Sequence, residues 1–396
     1  MKTPMKQLMA ILVVLLLALS LSAQTFDHVI IIVQENRTPD NLFGASGLPG
    51  ADLQIHPKGT AVALNTTGDF DHSHVGFLAE ASGTYPHGSG VYVASGVDPY
   101  WQLAAEYGFA NYMFQTNQGA SFPARQMLIS GTSAPSDTSD LFVSDNSITG
   151  TVGCKAKAGS LVPTIAPDGV MGAVFPCFER SSLIDLLVNA GLTWRYYAAA
   201  FPPLWAAPNS LKSYYLSSNL VKNPPQVLTD IQNETLANVS WVSPAKSYSD
   251  HARMGTGGPA WVASIVNAIG NSSYWDNTVI FVTWDDWGGL WDHVPPLQNN
   301  TGWCEVYCYG FRVPLLVISA YTPQGYVDNG VHDFGSILHF VENNFALGFI
   351  GPGGWADYHA DDLSTFFTSE PRAFVQIKAR KLTKAELKDQ GGPDTD

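Results

Sequence analysis

Five consecutive apolar residues, Val29 to Val33, run almost directly into Glu35, Asn36 and Arg37 within the stretch HVIIIVQENRTPDNLFG at 28–44. A short, uninterrupted, β-branched run reads as a strand buried on both faces, as in the middle of a parallel sheet. A carboxylate, an amide and a guanidinium at the end of such a strand are each costly in a core unless paired. Open α/β sheets bind their ligands outside the carboxyl ends of the strands. The polar cluster therefore marks the end of the sheet where chemistry is expected.

The same grammar recurs further along. Thr278 to Thr283 is a second buried-strand pattern, and it runs into Trp284, Asp285, Asp286, Trp287, Gly288 and Gly289. Adjacent carboxylates at a strand end repel one another unless a cation or a proton lies between them. Paired glycines let the backbone turn sharply and come close to a ligand. Glu35, Asn36, Asp285 and Asp286 together offer oxygen donors suited to a hard divalent cation.

Lys2 and Lys6 precede an apolar stretch from Leu8 to Leu19, and Ser20, Ser22 and Ala23 supply small residues near a cleavage point. Residues 1–23 thus read as a secretory signal peptide, too short for a stable transmembrane span. The expectation is a secreted or periplasmic protein with no transmembrane anchor after cleavage. Losing the leader removes two lysines and no acids, so the formal charge moves from −14 to −14 − 2 = −16. An acidic exported chain is a poor nucleic-acid binder, and a phosphate substrate would need a metal or local positive charge. Four cysteines in such a chain imply two disulfides. Cys304 and Cys308 are close enough for a local bridge, which leaves Cys154 and Cys177 to close a longer loop.

Strand and helix signals alternate as in an α/β sheet. Helices are expected at Ser182–Gly191, Pro259–Ile269 and Phe334–Phe345, and strands at Thr193–Tyr197 and Val313–Ile318. Residues 45–115 and 134–178 are Gly-, Ser- and Pro-rich and read as long ordered insertions above the sheet. The domain plan is a leader at 1–23, one catalytic domain at 24–375 and a charged tail at 376–396. The tail carries a short helical pattern from Leu382 to Gln390.

The third informative stretch is NQGASFPARQMLISG at 117–131. Ser121 stands at an expected N-cap and Pro123 in the first turn of a helix. A hydroxyl there faces unpaired amides and the positive end of the helix dipole, which favours its alkoxide and an incoming anion. QENRTPDNLFG at 34–44, QGASFPARQMLISGTSAP at 118–135, TWDDWGGLWDHVPP at 283–296 and VHDFGSILHFVENNF at 331–345 together resemble one family. The chain is similar to the bacterial phosphoesterases that include phospholipases C and acid phosphatases, within the alkaline phosphatase-like superfamily. The resemblance runs from about residue 27 to about 365.

That resemblance implies a doubly wound, mostly parallel sheet with helices on both faces and long loop insertions over the active site. It also implies a metal-dependent phosphoester hydrolase acting through a phosphoseryl intermediate. Glu35, Asn36, Asp285 and Asp286 would hold the metal, with Ser121 as both ligand and nucleophile. An oxygen-rich set without cysteine favours one calcium, magnesium or manganese ion over zinc. The family's Asp-x-x-His element falls on His72, and an active-site histidine on His251. Both become candidates for stabilising the transferred phosphoryl group or protonating the leaving alkoxide. Asn36, His72, His251 and His293 form the candidate substrate-binding set, the substrate being a phospholipid or a small phosphoester.

Two departures bear on specificity. Trp287 stands where phospholipase members carry histidine in Asp-Glu-His-Gly-Gly, and Asp333-Phe334-Gly335-Ser336 replaces an Asp-His-Thr-Ser pattern. Their loss supports a rival reading, a non-catalytic secreted protein that binds lipid or glycan on the same fold. Ser121-Phe122-Pro123-Ala124-Arg125 also matches the bare spacing that formylglycine formation needs, which leaves a sulfatase-like esterase as a second rival.

Overall fold

The computed structural model describes residues 25–82, 90–149, 151–199, 203–297, 306–351 and 353–392. The expected signal peptide at 1–23, and Cys304 of the second expected bridge, lie outside the described residues. Within them the strands, in chain order, are β1 His28–Gln34, β2 Thr60–Ala63, β3 Tyr92–Ser95, β4 Gly108–Phe114, β5 Phe142–Val143 and β6 Val162–Ile165. They continue as β7 Met171–Val174, β8 Trp194–Tyr197, β9 Leu220–Val221, β10 Val239–Val242, β11 Thr278–Trp284, β12 Leu315–Ser319 and β13 Tyr326–Asp333.

Eight of these form the central sheet in the order β13-β4-β12-β11-β1-β10-β8-β9. Every neighbouring pair is parallel except those made by β12, which runs antiparallel to both β11 and β4. Helices cover both faces. On one, Ser121–Ser130 packs against Phe334–Phe345 and Leu183–Asn189. On the other, Gly258–Gly270 packs against Asp98–Glu106 and Gln226–Gln232. This is the doubly wound α/β arrangement expected above.

The registry of β1 and β11 decides where the chemistry lies. Val33 stands opposite Thr283 and Gln34 opposite Trp284, so both strands end level and Glu35 emerges beside Asp285. Val29 to Val33 are at most 1% exposed, as a run shielded on both faces requires. At about 2 kcal/mol per fully buried aliphatic side chain, these five alone contribute roughly 10 kcal/mol of gross hydrophobic stabilisation. Gln34, next in line, is buried too and donates its amide to Tyr248 O (3.2 Å) while accepting from the Asp250 amide (3.2 Å).

Two sequence expectations change. Residues 45–115 are not one insertion above the sheet, because Asp98–Glu106 is a helix and Gly108–Phe114 is strand β4 inside it. GFANYMF interrupts its apolar residues with Gly, Asn and Tyr, so neither a continuous nor a strictly alternating pattern announces that strand. The second insertion does stand as one, built on the antiparallel sheet β5-β6-β7. In the tail, only a 3₁₀ turn at Glu386–Lys388 forms where a helix was expected. That segment has no apolar stripe to bury. It is held instead by hydrogen bonds, with Ile377 N donating to Asn267 Oδ1 (2.9 Å) and the Asp389 carboxylate Oδ2 accepting from Ser247 N (2.7 Å). Cys154 and Cys177 are bridged as expected.

Candidate active site at the ends of β1 and β11

The nucleophile candidate begins a helix whose ten residues are all buried. Ala120, not Ser121, is the N-cap. Ser121 is the first helical residue, with its hydroxyl free to point out of the helix. Ser121 Oγ lies 3.0 Å from Asp286 Oδ2, 3.4 Å from Glu35 Oε2 and 3.5 Å from Asn36 Oδ1. Three of the expected ligands, from two separate strand ends, thus converge on one hydroxyl.

The other oxygen of each acid is already engaged. Glu35 Oε1 ion-pairs with Arg125, and the Arg125 Nε donates to Asp285 Oδ2 at 3.1 Å. Asp285 Oδ1 accepts from the amides of Asn36 (3.3 Å) and Asp286 (3.0 Å). Gly288 N donates to Asp286 Oδ1 at 2.8 Å. Arg125 is the site residue that the sequence reading left without a role. It lies four residues, one helical turn, beyond Ser121, so the two side chains share a face. That spacing was the available signal. Three carboxylates against this one guanidinium leave 3 − 1 = 2 negative charges, all buried. Such charge and oxygen donors would suit a hard divalent cation, which Glu35, Asn36, Ser121 and Asp286 could hold, whereas both Asp285 oxygens are already engaged. Burial pushes the Asp286 carboxyl up to about 7, and the neighbouring Asp285 reinforces the shift.

Asn36 is itself held in an uncommon conformation, φ 58°, in the left-handed region that asparagine tolerates better than most residues. Its amide group is oriented from outside by His72. The His72 Nδ1 must carry its proton, because it lies 2.7 Å from Phe70 O, which can only accept. Nε2 then accepts from Asn36 Nδ2 at 3.1 Å, and this turns Asn36 Oδ1 toward Ser121. His251 follows the same logic, with Nδ1–H on Ala252 O at 2.8 Å, and its ring centre lies 6.1 Å from that of His72.

The remaining expected residues are placed elsewhere. Arg37 turns away from Ser121. Its guanidinium is buried, lowered by that burial to about 10, and donates to Asp250 O (2.9 Å), Thr67 Oγ1 (2.9 Å) and Leu64 O (3.0 Å). His293 bridges Asp40 Oδ2 (2.7 Å) and Asp52 Oδ1 (3.0 Å), so both ring nitrogens serve carboxylates outside the Ser121 cluster. Asp40, Asp292 and His293 are close enough to share a metal ion, but Arg312 already ion-pairs both acids, at 3.5 and 2.8 Å. The two departures are both core side chains. Trp287 packs with Phe77 and Phe311 and donates its indole N–H to Glu80 Oε2 at 2.6 Å. Phe334 is fully buried behind Asp333, which caps the Phe334–Phe345 helix.

Among curated proteins, the chain is 25% identical to the hemolytic phospholipase C of Pseudomonas aeruginosa, over 92% of its own length and 59% of that protein's. It is 22% identical to phospholipase C B of Mycobacterium tuberculosis, covering 86% of this chain and 77% of that one. The chain therefore spans about three-fifths of the Pseudomonas relative. A solved structure of an alkaline phosphatase superfamily protein from Vibrio parahaemolyticus aligns with 91% of this chain and 74% of its own, at 13% identity and TM-score 0.41. The Phosphoesterase family matches residues 26–348, strand β1 through the Phe334–Phe345 helix, and the chain belongs to that family.

Proposed function

We propose that this protein is a secreted or periplasmic, metal-dependent phosphoester hydrolase that forms a phosphoseryl intermediate on Ser121. The observation that carries this reading is the convergence of Glu35, Asn36 and Asp286 oxygens within 3.5 Å of Ser121 Oγ. Membership of the phosphoesterase family and the phospholipase C relatives support the reaction class. The leader composition at 1–23 supports export, and among the described residues no helix is long and apolar enough to cross a membrane.

A divalent cation bound at this site would neutralise the excess charge, lower the pKa of the serine and polarise the phosphoryl oxygens. The chain's own groups then act in order. Ser121 gives up its proton along the hydrogen bond to Asp286 Oδ2, and Oγ attacks phosphorus. The Oγ–P bond forms as the bond from phosphorus to the alcohol oxygen breaks. The departing alkoxide takes a proton from His251 Nε2–H, leaving the imidazole neutral with Nδ1–H on Ala252 O. Water then attacks the phosphoserine and gives a proton to His251 Nε2, the P–Oγ bond breaks, and Ser121 regains its proton from Asp286. His72 acts through Asn36 as a positioning residue, fixing the direction of its carbonyl oxygen. Of the two substrate types, phospholipid diesters are favoured over small monoesters by the relatives' names alone.

Ser121→Ala should abolish hydrolysis of an artificial aryl phosphate while leaving the circular dichroism spectrum unchanged. Near-native turnover would overturn the assignment. A mass measurement on the peptide spanning Ser121 separates this reading from the sulfatase-like one, since formylglycine is lighter than serine by two hydrogens. Chelation should stop turnover, and calcium, magnesium or manganese should restore it. Two equivalents of tightly held zinc per chain would refute a single hard ion.

A further inference from the structure

The insertion over the site carries a surface that the reaction does not use. Ile148, Leu161, Val170, Met171 and Phe175 are all exposed, from 38% at Leu161 to 64% at Ile148. They are contiguous in pairs. Ile148 N bonds Leu161 O at 3.1 Å, and Leu161 and Phe175 extend the β6–β7 ladder in which Val162 faces Val174. Strand β7 itself, with Val170 before it and Phe175 after it, reads VMGAVF and contains no charge. It pairs with β6 on one side, and among the described residues no strand pairs with its other edge. An exposed apolar edge of this kind is ordinarily blunted by charge or covered.

The insertion at 134–178 carries Lys155 and Lys157 against Asp137, Asp140, Asp145 and Asp168, a balance of 2 − 4 = −2, but its segment 146–178, which bears the apolar residues, holds only Asp168 beside the two lysines. Both lysines are exposed, and among the described residues neither forms an ion pair. The Cys154–Cys177 bridge ties the lysine loop to the end of β7. The insertion is joined directly to the site. Asn146 Oδ1 accepts from the amide of Phe122, next to Ser121 (2.9 Å), and Asp145 Oδ2 accepts from the amide of His74 (3.1 Å). The next residue, Val75, on the His74–Ala81 helix, is an exposed apolar side chain as well, at 70%.

We infer that this face docks the enzyme on an anionic lipid bilayer, with Ile148, Val170, Met171 and Phe175 entering the interface and Lys155 and Lys157 facing the headgroups. Apolar side chains combined with lysines are what an interfacial surface needs, and its continuity with Ser121 would deliver a membrane phosphoester to the site. The biological purpose rests on the hydrolase reading. The docking itself does not.

The test uses full-length protein carrying Ser121→Ala, so that vesicles stay intact, and measures co-flotation with phosphatidylcholine vesicles with and without phosphatidylglycerol. Flotation is expected with the anionic vesicles. Lys155→Gln/Lys157→Gln should weaken it by roughly thirty-fold, from about 1 kcal/mol per juxtamembrane lysine. Val170→Asp/Met171→Asp should abolish it. The same pairs, made with Ser121 intact, should hydrolyse soluble aryl phosphate at the native rate. Absence of flotation, or flotation indifferent to both pairs, would overturn the proposal. So would a native dimer in light scattering that Val170→Asp/Met171→Asp converts to monomer, since the edge would then join two copies. Failure of the native enzyme to hydrolyse aryl phosphate would instead count against the hydrolase reading.

Discussion

Beneath the Ser121 helix lies a pair of carboxyls that should make stability depend on pH. Glu342, on the Phe334–Phe345 helix, and Asp357, on the Ala356–His359 turn, are 2% and 1% exposed. Among the described residues neither Glu342 oxygen has a hydrogen-bonding partner, nor does Asp357 Oδ1, while Asp357 Oδ2 accepts from the Ile350 amide at 3.1 Å. Burial, then the adjacent Asp357, pushes Glu342 up to about 9, and burial also raises Asp357. In the unfolded chain both would be ionised well below neutrality. Between about pH 5 and 9 the folded state therefore holds one proton more than the unfolded state. A carboxyl raised in this way contributes stability that is complete at low pH and is lost as pH rises through the folded value. The slope is about 1.4 kcal/mol per pH unit, or roughly 2.7 kcal/mol between pH 6 and pH 8. Glu342→Gln removes the titrating group and supplies an N–H for Asp357 Oδ1. The variant should gain on the native protein by up to roughly that amount over those two units. Urea melts of both proteins at pH 6, 7 and 8 would show it. Parallel stability–pH curves would refute the shared-proton account and point to a buried cation or ordered water between the two acids.

Arg125→Ala strips the guanidinium from two buried carboxylates and should destabilise the fold by about 3–5 kcal/mol, read in chemical melts. Arg125→Lys keeps the charge but cannot reach both Glu35 and Asp285, so it should retain more stability than activity. Gly288→Ala places a Cβ at φ 64°, 2.7 Å from Asn36 O, and should cost about 1–3 kcal/mol in stability while cutting kcat far more than KM. Asp285→Asn and Asp286→Asn should each lower metal occupancy and turnover together, measured by elemental analysis alongside aryl phosphate hydrolysis. Activity retained with the metal lost would separate the two roles.

How much could be read beforehand follows from which physical signals are local. The β1 and β11 segments were legible because an acid at the end of a buried apolar run must find a cation, a proton or a donor there. Ser121, Glu35, Asn36 and Asp286 accordingly meet as the motifs implied. Strand β4 was hidden because GFANYMF pairs with β13 and β12, partners far along the chain that compensate for a weak local pattern. Arg125 was visible as a letter but not as a role, since its purpose depends on two carboxylates at other strand ends. Trp287 could be read only as a lost histidine. Its actual work, filling a pocket between Phe77 and Phe311 and satisfying Glu80, required the tertiary contacts.

The contact between Gly288 and Asn36 reaches beyond geometry into how this sequence can vary. Position 36 tolerates few side chains at φ 58°, and position 288 tolerates almost none while the Asn36 carbonyl stands where its Cβ would be. Two motifs some 250 residues apart are thereby locked into a single inheritable unit. In a randomised library that samples both positions, survivors should be more frequent than the product of the two single-site tolerances, because compensating pairs survive where either change alone does not. Exchanging either motif alone with a distant relative should fail where exchanging both succeeds.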